Sequence, residues 1–223
     1  MSIVPKVRQA TKTLNQAVVR PRRWRWYHGF LFYIFAQVLS FGLAGIVTVA
    51  TGQKMKSVRD TFGDVDYFRQ LKQSKIAPPS WVFGPAWTIN NISTIWGALQ
   101  VLNKPEDTPG KNTFLALQSV SWVNYVIFSA AYFSLRSPIN AFFLTLSMFV
   151  LTILSGIVAI FQLKDTKVAL SLATLTLWLL IALTAATFQA AWNYDDLYHS
   201  GPFAEPVPAL KKEIRINEPC GDS

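Results

Sequence analysis

Trp87 and Asn91 stand four residues apart in a stretch, Ile76 to Asn103, that holds no Asp, Glu, Lys or Arg. In a helix that spacing puts both side chains on one face, an aromatic plane beside an amide. Trp178 lies in a second charge-free stretch, Val168 to Asn193, and shares a helical stripe with Ala182, Ala185, Ala186, Gln189 and Trp192. Asn124, in a third such stretch, must face inward, because hydrocarbon cannot satisfy its amide. Aromatic faces that stack and amides that orient a polar edge are the means of holding a flat, amphiphilic molecule. The candidate ligand-binding set is therefore Trp81, Trp87, Asn91, Asn124, Trp178 and Trp192. A plainer reading stands beside each member. Trp81, Trp96 and Trp192 lie near the ends of their stretches, where tryptophan anchors a helix at the membrane surface. Amides within a helix bundle also serve as packing contacts between helices.

Other chemistries lack their parts. The two histidines, His28 and His199, lie outside the charge-free stretches, and the single cysteine, Cys220, is the fourth residue from the end. No disulfide within the chain, thiolate metal cage or bis-histidine haem site can be assembled from them. With no Asp, Glu, Lys, Arg or His inside the stretches, proton relays through such groups and carboxylate ion sites are also excluded. We expect no catalytic residue, no metal site, and no covalently held or metal cofactor. Arg22, Arg23 and Arg25 interleave with Trp24, Trp26 and Tyr27, a pattern that reads as a membrane-surface belt rather than a nucleic-acid site.

The elements that must position these residues follow from composition. Of 223 residues, 51% are hydrophobic and 15% charged, yet the net charge is +9. A globular domain carries about 25% charged residues, so the polar material needed to coat a soluble surface is missing. Five charge-free runs, Gly29–Gly52, Ile76–Asn103, Asn112–Leu135, Ser137–Leu163 and Val168–Asn193, each reach the roughly 20 residues that a helix needs to cross a bilayer. The fold class expected is an all-α membrane protein, a five-transmembrane-helix bundle, multi-pass in a membrane that the sequence does not identify. Tight connections at Arg136–Pro138 and Lys164–Lys167 make neighbouring helices antiparallel. A basic N-terminal extension, residues 1–28, reads either as an interfacial helix or as a targeting peptide. The membrane domain then occupies 29–193 and a polar, proline-rich tail 194–223. Lys and Arg divide almost evenly between the two sides, which leaves the orientation open.

Residues 78–88 read Pro-Pro-Ser-Trp-Val-Phe-Gly-Pro-Ala-Trp-Thr. This string resembles the signature of the tryptophan-rich sensory protein / translocator protein family (TspO/MBR), P-P-x-W-V-F-G-P-V-W-T, with Ala86 the one departure. Five apolar runs and a long first loop agree with that family's plan, so the resemblance covers about residues 30–193. It implies a five-helix bundle with a ligand pocket near the long-loop side. Members bind porphyrins and related tetrapyrroles, and some bind sterols and synthetic ligands. They are linked to tetrapyrrole traffic, stress response and light-dependent porphyrin breakdown. By position, Trp87 matches the motif tryptophan that faces the pocket, and Trp178 matches the tryptophan of the fifth-helix pattern L-x-P-Y-x-x-W. The loop pattern W-Y-x-x-L-x-K-P-x-W is not kept, since Tyr67 to Ile76 contain neither tryptophan nor its Lys-Pro.

The resemblance therefore implies a membrane protein that binds a porphyrin-like or sterol-like hydrophobic ligand for transport, sensing or stress regulation. Porphyrin breakdown, which the family's loop tryptophans serve, is the less expected activity. The alternative is a structural or assembly subunit that uses the same fold as a scaffold in a larger membrane complex. Partners expected are the lipid bilayer, the ligand, and either a second copy or a larger assembly, with no nucleic acid. Ala182, Ala186 and Ala190 form a small-residue series that permits such close helix approach.

Overall fold

The computed structural model describes residues 23–52 and 65–212. Most of the N-terminal extension, the basic first half of the long loop, and Cys220 lie outside the described residues. Helix α1 spans Trp26–Ala50, α2 Val65–Gln70, α3 Ser80–Leu102 and α4 Lys111–Ser129, the last extended by a π-helical turn Ala130–Ser134. After these come α5 Pro138–Phe161, α6 Thr166–Ser171 and α7 Ala173–Trp192. Among the described residues there is no extended strand, only two isolated bridges.

The long helices fall on the charge-free runs for a simple reason. Within them nothing competes with the backbone ladder, and the chain turns where polar side chains can cap it. Ser137 caps α5, its hydroxyl accepting from Asn140 N at 3.1 Å, with Pro138 in the first helical position where a missing N–H costs nothing. Asp165 caps α6, accepting from Lys167 N at 3.1 Å and Val168 N at 3.2 Å. Lys111, buried at the start of α4, donates from Nζ to the carbonyls of Leu102 and Lys104 and so closes the end of α3.

Four segments are long and apolar enough to cross a membrane: Trp26–Ala50, Lys111–Ser134, Pro138–Phe161 and Thr166–Trp192. The fourth includes a break at Leu172 that the charge-free run does not announce. Helix α3 is 23 residues long and carries no charge, but it is less apolar. Pro85, Thr88, Asn90, Asn91, Ser93, Thr94 and Gln100 all fall within it.

The long helices close into a ring in the order α1, α4, α5, α7, α3, with the most extensive packing between α5 and its neighbours α4 and α7. Hydrogen bonds across the ring join Gln118 Nε2 to Ser155 Oγ at 2.9 Å and Thr48 Oγ1 to Ser134 Oγ at 2.8 Å. These are the interhelical contacts expected where lipid offers no partner. One end of the bundle is solid. Val101, Phe114, Val158, Ala159, Leu163, Val168 and Leu172 form its core. Helices approach closely there. A Cβ on Gly29 of α1 would sit 2.5 Å from Ile95 Cγ2 of α3, and one on Gly97 would collide with Ser171 Oγ of α6. Toward the other end of α3 there is more room, and a Cβ on Gly84 would meet nothing within 4 Å.

At the solid end, Lys104 Nζ pairs with Asp165 Oδ2 at 2.8 Å. The hydrogen bond from Lys104 is the main reason that the Asp165 carboxyl titrates below its usual value. A lowered folded-state pKa adds stability that is complete above the unfolded value, near 3.8, and is lost as pH falls through the folded value. Asp165→Ala is therefore expected to cost about 1 kcal/mol at neutral pH. The difference from wild type should shrink as pH drops below about 4, as read by denaturant unfolding across that range.

Candidate functional site

The loose end of the bundle encloses a cavity of about 400 Å³. Every long helix contributes a wall, and each does so through residues at helical spacing. Helix α1 supplies Tyr33, Gln37, Ser40 and Phe41; α3 supplies Ser80, Phe83, Gly84, Trp87 and Thr88. From α4 and its π-helical turn come Tyr125, Phe128, Ser129, Tyr132 and Phe133, and from α5 Ala141 and Thr145. Helix α7 lines the opposite side with Trp178, Ala182, Ala185, Ala186 and Gln189. The three alanines make the room, since larger side chains on this face would fill the space between α7 and α3.

The aromatic walls form a continuous edge-to-face series, the arrangement that ring quadrupoles favour. Tyr125 and Trp87 stand 5.3 Å apart, Trp87 and Trp178 6.4 Å, Trp178 and Phe83 5.4 Å, and Phe83 and Phe68 5.2 Å. Phe68 belongs to α2, so the short helix after the long loop sits over this end of the cavity. Its neighbours Tyr67 and Leu71 pack with Tyr132 and Ala141.

The chain beyond α7 holds that cover in place. The Asn193 side chain makes two hydrogen bonds with the backbone of Lys72, at 2.7 and 3.0 Å. Lys75 N donates to Leu210 O and Lys212 N to Gln73 O, each at 2.8 Å. Described residues 194–212 thus carry no helix but are tied to the loop and to the helix ends.

The predicted site residues divide. Trp87 and Trp178 both line the cavity, side by side in the edge-to-face series. Asn91 is buried in a second, much smaller chamber of about 10 Å³, separated from the first by Trp87 and Tyr125, which line both. Asn124 faces inward as expected, but its amide is taken by Ser147 Oγ of α5 at 2.8 Å and it does not reach the cavity. Trp192 is 2% exposed and packs on Phe188, with ring centroids 4.7 Å apart and also off the cavity wall. Trp81 is 75% exposed on the outer face of α3. The structure therefore brings together two of the six residues at the main cavity and a third beside it.

Several wall residues went unread. Tyr33 and Gln37, bonded to each other at 2.8 Å, are four apart in an otherwise apolar run. Tyr125 and Tyr132 are seven apart on α4, again on one face. Polar and aromatic residues at those spacings inside a span are the signal that was available. Among the described residues no group of three His, Cys, Asp or Glu side chains comes together.

In a comparison with protein-family models, residues 33–193 match the model described as the TspO/MBR family. No curated protein matches the chain. The matched segment begins at Tyr33 and ends at Asn193, and it contains every residue of the cavity wall. Together with the four long apolar helices, the match marks a multi-pass integral membrane protein.

Proposed function

The chain belongs to the TspO/MBR family, and on that premise we propose that it binds a flat, amphiphilic ligand of the tetrapyrrole class in the cavity lined by Trp87 and Trp178. The observation that carries this reading is the cavity itself. Its volume of about 400 Å³ lies within the roughly 300–1,000 Å³ usual for small-molecule sites. Its walls pair aromatic faces with a few polar groups, the lining that suits a large planar ring with a polar edge. In this reading α3 is a fifth membrane span. Asn90, Asn91 and Thr94 are buried against the bundle, while Ile89 and Ile92, 59% and 61% exposed, face lipid. Binding would serve transport or sensing of the ligand. Gly84, exposed and on the cavity wall, marks a lateral mouth by which a lipid-dissolved molecule would reach the cavity.

Titration of the full chain in lipid nanodiscs with protoporphyrin IX tests the proposal. Trp87 and Trp178 should be quenched with saturation, corrected against empty nanodiscs. Trp87→Ala should weaken binding roughly ten-fold, the scale of losing one stacked aromatic face of about 1.5 kcal/mol. Absence of saturable quenching would move the account to the scaffold reading, in which the bundle serves a larger assembly.

A further inference from the structure

The polar groups along the cavity wall are unbalanced in one direction. Gln189 is 3% exposed, and its Oε1 accepts from the Tyr132 hydroxyl at 2.9 Å. Its Nε2 has no hydrogen-bond partner in the protein. Trp178, 8% exposed, has an indole Nε1 in the same condition. Both residues line the cavity. Each unmet group is an N–H donor, and a buried donor without an acceptor is costly, so something with a lone pair is wanted at each.

We propose that Gln189 is a specificity-determining donor that selects ligands carrying an oxygen acceptor at the end of the molecule under α2, with Tyr132 as its positioning residue. The proposal rests on the cavity being a ligand site. Its geometry is specific to these side chains. A free glutamine amide presents an acceptor and two donors and discriminates little. Tyr132 occupies the carbonyl, which leaves the NH₂ group as the part of the amide still to be matched. Trp178 lies eleven residues away on the same helix, about 16 Å along its axis. The two donors therefore belong to opposite ends of the cavity, and one compact polar group cannot satisfy both.

The test uses three probes that share a macrocycle: protoporphyrin IX with its carboxylates, the dimethyl ester with neutral carbonyls, and etioporphyrin with no oxygen. Each is titrated into the full chain in lipid nanodiscs against an empty-nanodisc reference. Wild type should bind the oxygen-bearing probes about ten-fold more tightly than etioporphyrin, the scale of one hydrogen bond to a strongly polar acceptor. Gln189→Met should remove that preference, chiefly by weakening the two oxygen-bearing probes, while etioporphyrin still binds, which also shows that the cavity is intact. Tyr132→Phe should give a smaller loss of the same pattern, since the amide survives but is free to rotate. A loss confined to the acid assigns a carboxylate, and a loss shared with the ester assigns any oxygen acceptor; either supports the proposal. If Gln189→Met changes all three affinities alike, or none, the specificity role is overturned while ligand binding stands. If wild type binds none of the three, the ligand-site reading falls, and this inference with it.

Discussion

Asp195→Ala is expected to lower the stability of the folded bundle by roughly 3–5 kcal/mol, among the largest effects of any single side chain outside the helices. Asp195 is 1% exposed and its carboxylate is fully engaged. Oδ2 accepts from Ser137 Oγ at 2.7 Å and from Ile139 N at 3.0 Å. Oδ1 accepts from Leu197 N at 3.1 Å and from Tyr198 N at 3.0 Å. One side chain thus caps the start of α5, closes its own turn, and fastens the chain after α7 to the α4–α5 connection. The anion also sits where the α5 dipole is positive. Truncation to alanine leaves a hydroxyl and three backbone N–H groups without this acceptor, and buried donors of that kind cost about 1–3 kcal/mol each when water cannot replace the partner. Asp195→Asn should cost less, because one acceptor oxygen remains. Thermal unfolding in detergent, with limited proteolysis after Asn193, checks the order wild type, Asn, Ala. Equal stability of all three would show that water takes over the site.

The helices were legible because ionised side chains cannot sit in hydrocarbon. The run Gly29–Gly52 meets helix Trp26–Ala50, and Ser137–Leu163 meets Pro138–Phe161, to within a few residues. The cavity face of α7 was legible as well. Trp178, Ala182, Ala185, Ala186 and Gln189 share a stripe by helical period alone, and all five line the cavity. What lay beyond reach depends on partners from elsewhere in the chain. Asn124 had to point inward, but only the register of α4 against α5 delivers Ser147 to its amide. Trp192 continues the α7 stripe, yet the cavity ends before it. Helix α2 hides in a stretch that reads as polar loop, because Tyr67, Phe68 and Leu71 become a buried face only once Tyr132 and Ala141 are present. The cavity's α1 wall was missed because Tyr33 and Gln37 sit in a run whose apolarity draws attention to lipid rather than to the interior.

Filling the cavity should abolish ligand binding while sparing the fold. Ala186 is 6% exposed and lies on the cavity wall between Trp178 and Gln189. An indole at this position projects into the void, so the steric strain that usually follows a small-to-large change in a packed core is relieved by the cavity. The same indole occupies the volume a planar ligand would need. Ala186→Trp is therefore expected to weaken porphyrin binding by about 100-fold or more, which corresponds to roughly 2.7 kcal/mol or more. Helical content and the unfolding midpoint should stay close to those of wild type. The most direct measurement of the central claim is the protoporphyrin IX affinity of wild type and Ala186→Trp, side by side in lipid nanodiscs. Wild type should bind saturably, and the folded variant should not. Equal affinity of the two proteins would place the ligand outside the cavity and overturn the proposed site.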